Sequence, residues 1–289
     1  MFNSPLNYTW NKRKLLNQII PLLPDNQDFF VDVFAWSGLV WLNSNSKKII
    51  LNDNNEHILS LVKYFKETDT QKIIDTMDKI ILKYWFTDSH RKWLKSYKEE
   101  KHEWLSRYNK APFNKLKEDY NKKPSTELLF ALVVYWFNHY IRFNSAWLFN
   151  IPVGKVDYTT SLREKSIEYS EALKSKDITF LSMDFRNEKL YKYKWFYYFD
   201  PPYLITQAPY SVSRDESDEI DLLNILDRLD WLWLKFALSN VIEGNWKSNE
   251  ILKKRVKKYH THYLNRRYLN ANYRKKNITI AKEVLITNY

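Results

Sequence analysis

The chain has 289 residues, 44% of them hydrophobic, with a formal net charge of +12, six histidines and no cysteine. That size supports one large domain, or a domain carrying a sizeable insertion, and the missing cysteines exclude disulfides, thiolate metal sites and a Cys nucleophile. The histidines show no ligand spacing, so no metal is expected; no apolar run approaches the roughly 18 residues of a bilayer span, and Met1 to Lys14 lacks a secretory leader's apolar stretch, so the expectation is a cytoplasmic protein without a membrane partner.

In chain order, Tyr8-Thr9-Trp10-Asn11-Lys12-Arg13-Lys14 reads in isolation as a basic helix start before Leu15-Leu16. Phe29 to Phe34 is short, apolar and β-rich, a buried strand. It runs into Ala35-Trp36-Ser37-Gly38, a small-residue turn of the kind that lets a cofactor approach the backbone, with Trp36 out of place. Ile49-Ile50-Leu51 is a second strand and ends in Asn52-Asp53-Asn54-Asn55, strong turn chemistry. Asp53 is either a turn cap or, at a strand end, an acid able to hold the ribose hydroxyls of an adenosyl group. Glu56 to Tyr64 looks helical, which suggests a βαβ start.

Residues 57–175 read as amphipathic helix dense in Lys, Tyr and Asn, notably Leu94 to Lys117 and Ser125 to Tyr140. Strand patterns return at Ile178 to Leu181, Trp195 to Phe199, Lys235 to Leu238 and Val284 to Thr287. Asp218 to Leu229 is a helix with Leu222, Ile225, Leu226 and Leu229 at helical spacing. The simplest arrangement is an α/β sheet domain built from 1–56 and 176–289, with 57–175 as a mainly helical insertion.

The sharpest chemical feature is Asp200-Pro201-Pro202-Tyr203, directly after an aromatic strand. Proline has no N–H to continue a ladder, so a carboxylate is fixed at the carboxyl end of a strand, where α/β sheets place ligands. Such an acceptor, with a backbone carbonyl of the loop, can stabilise positive charge developing on an exocyclic amine, and Tyr203 can stack on a flipped base. A plain turn is the competing reading. From Phe137 through Asn138, Tyr140, Arg142 and Asn144 to Pro152, aromatics alternate with Asn and Arg. This is a mixed helix end or a base-reading segment. The excess of Lys and Arg fits a polyanionic partner, nucleic acid foremost, although richness in Lys and Asn also accompanies AT-rich coding.

Taken in this order, the motifs resemble the DNA adenine methylase (Dam) family, adenine-N6 methyltransferases of the alpha arrangement, over almost the whole chain. The resemblance begins at Ser4-Pro5-Leu6-Asn7-Tyr8 and closes with Phe236 to Val241 and Glu283 to Tyr289. It implies a Rossmann-like methyltransferase sheet with a helical target-recognition insertion, S-adenosyl-L-methionine as cofactor and one-step methyl transfer to an adenine flipped out of double-stranded DNA. It further implies cofactor contacts from Tyr8, Lys12, Phe34 to Gly38, Asp53, Asp184, Phe185 and Asp200, and catalysis by Asp200 to Tyr203. Arg142 would read guanine and Pro152 would meet the thymine side of a GATC-like site, while His139 and Tyr140 depart from the family pattern. A restriction endonuclease encoded nearby is an expected partner. The alternatives are an inactive DNA-binding relic with a blocked cofactor site and, further off, a methyltransferase for RNA or a protein amide.

The chain has 3 Gly and 12 Trp, whereas average usage predicts roughly 20 Gly. Trp10 and Trp36 stand where the family has glycine, and Trp147, Trp231 or Trp233, and Trp246 fall in turn-like positions. The expectation is that some or all of these are glycines in the cell, encoded by UGA; genuine tryptophan in an aromatic-rich chain is the alternative.

Overall fold

A computed structural model of the chain describes residues 1–6, 12–25, 29–36, 38–91, 105–136, 143–144, 146, 148–205, 214–244, 247–265 and 281–289. By contacts the chain divides into two units, Met1–Asn11 with Glu56–Lys176, and Lys12–Asn55 with Asp177–Tyr289. Among the described residues no helix is long and apolar enough to cross a membrane.

The second unit is built on an eight-stranded sheet of order β3-β2-β1-β4-β5-β8-β7, with short β6 pairing to β5. The strands are β1 (Phe29–Asp32), β2 (Lys48–Asn52), β3 (Asp177–Leu181), β4 (Phe196–Phe199), β5 (Phe236–Gly244), β6 (Lys247–Ser248), β7 (His260–Leu264) and β8 (Lys282–Thr287). The first five in spatial order are parallel, and β8 and β7 close the sheet antiparallel. Continuous apolar runs suit strands covered on both faces, and all of β4 is buried. Val31 pairs with Ile50 on one side and Tyr197 on the other, so strand order reverses at β1. The crevice at the carboxyl ends of β1 and β4 is thus the topological switch point, where open α/β sheets bind ligands.

One core cluster joins Val31, Tyr197, Phe199, Phe236, Leu238, Val284 and Ile286 of the sheet to Leu222, Leu226 and Leu229 of the Glu216–Trp231 helix. That helix starts in a capping box between Asp215 and Asp218, which satisfies backbone donors that would otherwise be orphaned. The predicted first strand stops short of Phe34: Val33 N–H still donates to Tyr198 O (3.0 Å), but Ala35 N–H turns to Asn52 O (2.8 Å). β7 escaped prediction because its polar His260-Thr261-His262-Tyr263 run lies at the sheet edge.

The first unit is helical: Glu56–Glu67, Thr70–Tyr84, Leu105–Lys122, Thr126–Tyr135 and Thr160–Lys174. Phe65 centres its core, edge-on to Phe130 at 4.9 Å and Tyr169 at 5.4 Å. Asp69, Ser125 and Thr159 each cap a helix by accepting a backbone N–H, the role these side chains favour. The helix expected over 125–140 ends at Tyr135, because Trp136 is extended and bridges to Val153. Of the expected Leu94–Lys117 helix, the part before Leu105 lies outside the described residues. Met1–Asn11, assigned from sequence to the sheet, group by contacts with the helices; Ser4 and Leu6 are buried, and Ser4 hydrogen-bonds Tyr169.

Candidate active site

At the switch point β1 ends on Asp32, which is buried, with Oδ1 lacking a hydrogen-bond partner among the described residues. Burial, followed by the charge of Asp200, holds its pKa well above the ordinary carboxylate range. Asn52, at the end of β2, braces the neighbouring turns. Its Nδ2 donates to Val33 O (3.0 Å) and Met183 O (2.9 Å), and its Oδ1 accepts from Met183 N–H (3.1 Å). Asp53 follows, buried, with Oδ1 accepting from Asn55 N–H (2.9 Å) and Oδ2 from Trp36 N–H (3.3 Å). Burial pushes its pKa up to about 6, against the pull of those two bonds.

The turn after β1 is left-handed at Trp36 (φ 41°) and again at Gly38 (φ 66°). Gly38 is required there on two counts: its φ, and the Trp41 indole, which a Cβ would meet at 2.3 Å. The Trp36 indole reaches across the crevice, its Nε1 donating to Asp200 O at 2.9 Å. An indole therefore stands between the β1 turn and the loop after β4.

Beyond β3, Phe185 faces Phe34 with ring centroids 5.5 Å apart. Arg186 lies over the Phe185 ring at 4.4 Å and pairs with Asp184, Asp218 and Asp221. Buried Arg214 lies 5.9 Å from the same ring and pairs with Glu219 at 3.1 Å.

After β4, Asp200 is held by a buried polar cluster. Lys12 Nζ donates to its Oδ1 at 2.6 Å, and the Tyr203 hydroxyl donates to the same oxygen at 3.1 Å. Lys12 also bonds the Tyr203 hydroxyl and lies 4.9 Å from the centre of its ring. Glu283 Oε1, on β8, also lies 3.1 Å from the Tyr203 hydroxyl, whose single proton serves Asp200 or Glu283 in turn, and it pairs with Lys12 (3.3 Å). Among the described residues, no hydrogen bond is made to Asp200 Oδ2. Burial raises the Asp200 pKa and Lys12 opposes the shift.

The structure thus gathers Lys12, Phe34, Ala35, Trp36, Gly38, Asp53, Asp184, Phe185 and Asp200 to Tyr203 within the sheet unit. Tyr8, Ser37, Phe137, Asn138, Tyr140 and Arg142 lie outside the described residues, as do His139, Trp10, Trp147 and Trp246. In the helical unit, Pro152 is exposed. Asn144 turns its Oδ1 onto its own loop, accepting from Ala146 N–H (3.0 Å) and Leu148 N–H (2.9 Å). Sequence reasoning missed Asp32, Arg186, Arg214 and Glu283 as site residues. Asp32 and Glu283 each carried a signal, as a charge in an apolar strand.

A parallel sheet reversing at β1, acids at the ends of β1 and β2, and an Asp-Pro-Pro-Tyr loop after β4 define a Rossmann-like methyltransferase. The chain belongs to the D12 class N6 adenine-specific DNA methyltransferase family, whose model matches residues 8–272. It is 35% identical to Type II methyltransferase M.FokI of Planomicrobium okeanokoites and 33% identical to Modification methylase StsI of Streptococcus sanguinis, each over 99% of this chain and 43% of the relative. The chain therefore spans less than half the length of these two relatives. It is also 25% identical to Type II methyltransferase M1.LlaDCHI of Lactococcus lactis subsp. cremoris, over 98% of this chain and 94% of that one.

Proposed function

We propose that this chain moves a methyl group from S-adenosyl-L-methionine to the N6 amino group of an adenine flipped out of duplex DNA. The observation that carries the reading is the Asp200 carboxylate. One oxygen is clamped by Lys12 and Tyr203, and the other takes no described bond, just beyond β4 at the switch point. A fixed acceptor there draws on the amine as positive charge develops on nitrogen, with no reorganisation at the moment of transfer. Pro201 and Pro202 keep the loop backbone rigid, and a carbonyl of that loop is a second acceptor for the same amine.

The donor set fits the cofactor. Asp53 suits ribose hydroxyls, Phe34 and Phe185 a purine, and Asp32, whose Oδ1 has no partner among the described residues, a cationic amino acid end. The cofactor, when bound, supplies the electrophilic methyl group. Trp36 is the one misfit, since its indole occupies the crevice those groups line.

A GATC-like target rests on the resemblance at Arg142 and Pro152 alone. The relatives named as modification methylases support a companion restriction endonuclease, and the reading places the protein in the cytoplasm with its DNA. The test is methyl transfer from labelled cofactor to duplexes with and without GATC, for the parent, Trp36→Gly and Asp200→Ala. Label on adenine N6 that disappears with Asp200→Ala supports the reading. Label confined to duplexes without GATC overturns the target while leaving the chemistry standing.

A further inference from the structure

We propose that Glu283 is a positioning residue for this reaction: it anchors Lys12 and Tyr203 so that both are spent on Asp200 Oδ1 and Oδ2 is left to the substrate amine. The inference rests on the function proposed above, and the geometry is specific. Glu283 is buried at the start of β8, and one oxygen, Oε1, meets both Lys12 Nζ and the Tyr203 hydroxyl. Lys12, itself almost fully buried, thereby sits between two carboxylates. A buried carboxylate paired in this way is costly unless each lone pair and proton is used. The cluster offsets that cost through Lys12, whose ammonium reaches both carboxylates and the Tyr203 hydroxyl and so joins three distant chain segments at Asp200.

Lys12, Glu283 and Tyr203 act on Asp200 by charge or hydrogen bond, and the Asp200 charge in turn raises the pKa values of Asp32 and Tyr198. Within that set Glu283 adds negative charge beside Asp200, so its loss makes Asp200 easier to ionise. The decisive variant is Glu283→Gln, which keeps the shape and an acceptor for Tyr203 while removing the charge. Two readouts apply: the Asp200 side-chain carbon titrated by NMR, and the pH profile of methyl transfer. We expect the Asp200 midpoint and the acid limb of the rate to move to lower pH. We also expect kcat to fall roughly tenfold to a hundredfold as the clamp loosens, with KM for DNA changed less. A midpoint and kcat equal to those of the parent overturn the role. The kinetic comparison is made in the parent and, where Trp36 blocks turnover, in a Trp36→Gly background; no methylation of DNA in either background removes the proposed function, whereas the NMR titration still decides whether Glu283 sets Asp200.

A second inference rests on a different observation. Among the described residues, the left-handed backbone region holds Gly38 and three others, Trp36 (φ 41°), Trp85 (φ 64°) and Trp233 (φ 57°). Asn and Asp, the side chains that most readily adopt it, are absent from that set, and a bulky residue there is strained. Trp85 ends the Thr70–Tyr84 helix, where its N–H and that of Phe86 both reach Ile81 O. Trp233 ends the Glu216–Trp231 helix, with Trp233 N–H on Asp230 O (2.9 Å) and Leu234 N–H on Leu229 O (2.9 Å). These are the helix-ending patterns that glycine most often completes. Trp85 and Trp233 are 87% and 93% exposed, whereas Trp41 and Trp136 are fully buried, and Trp195 stacks on Phe29 at 4.6 Å.

We infer that positions 36, 85 and 233 are glycine in the cell that makes this protein, through UGA codons read as glycine, and that 41, 136 and 195 are tryptophan. The gene is expected to carry UGA at the first three and UGG at the second three, and peptides from the native host to have glycine masses at the first. UGG at 36, 85 and 233, or UGA spread without regard to the two groups, overturns the inference. Independently of the gene, Trp85→Gly and Trp233→Gly in the chain as written should each raise Tm by about 2–4 °C; a fall in both contradicts the strain.

Discussion

In the helical unit, Asn109 is fully buried and both ends of its amide are used. Its Oδ1 accepts from Thr87 N–H (2.8 Å) and its Nδ2 donates to Thr87 Oγ1 (2.8 Å). At the carboxyl edge of the sheet, Asp32 is also buried, yet one of its oxygens has no partner among the described residues. Asp53 and Asp200 beside it have raised pKa values from the same burial. The first pattern is what a core requires, because a buried polar group left unpaired costs stability. The second is what a binding edge accepts: its acceptors are held in place for something that arrives later. Asn109 therefore contributes stability, and the acids of the sheet edge are held for function at some cost in stability.

Four substitutions sharpen or break that contrast. The largest effect is expected from Asp200→Ala, which should lower methyl transfer by roughly a hundred- to a thousandfold with little loss of Tm. A large drop in Tm would instead make Asp200 a structural group. Asp53→Asn should do the opposite of a core substitution. The folded Asp53 pKa of about 6 lies above its unfolded value. The folded state therefore holds the proton more tightly, and stability is lost as pH rises through about 6. Removing the charge should stabilise the chain by up to about 3 kcal/mol at pH 8 and by little at pH 4. Denaturant melts at the two pH values check the sign, and cofactor affinity should fall in the same variant.

In the helical unit, Asn109→Ala should cost about 2 kcal/mol by stranding Thr87 N–H, read as a lower urea midpoint with unchanged turnover per folded molecule. Smallest is Ser125→Ala, which removes the cap on Leu128 N–H and should cost about 1 kcal/mol. Loss of turnover without loss of stability in either variant would break the division between the two regions.

The parts of this account legible in the sequence were those written locally. Apolar runs marked β1, β2 and β4, and the Asp200-Pro201-Pro202-Tyr203 loop announced a fixed carboxylate without any tertiary information. The partners of that carboxylate were not legible. Lys12 reads locally as one of several basic residues before Leu15, and only folding brings it to Asp200, 188 residues away. Glu283 is 80 residues beyond Tyr203, and nothing local distinguishes its carboxylate from a surface one except the apolar strand that follows. Helices Thr70–Tyr84 and Thr160–Lys174 were merged into a general helical stretch, although their N-cap residues Asp69 and Thr159 are legible as helix starts. Trp85 was not singled out because the sequence around it does not announce a helix end; its φ does.

The most direct test of the central claim is nucleoside mass spectrometry of duplex DNA after incubation with S-adenosyl-L-methionine and either the parent chain or Trp36→Gly. N6-methyldeoxyadenosine is expected, formed at least by Trp36→Gly and abolished when Asp200→Ala is added. A folded Trp36→Gly protein that binds the cofactor yet leaves every adenine unmodified, or that methylates a different base, would contradict that claim.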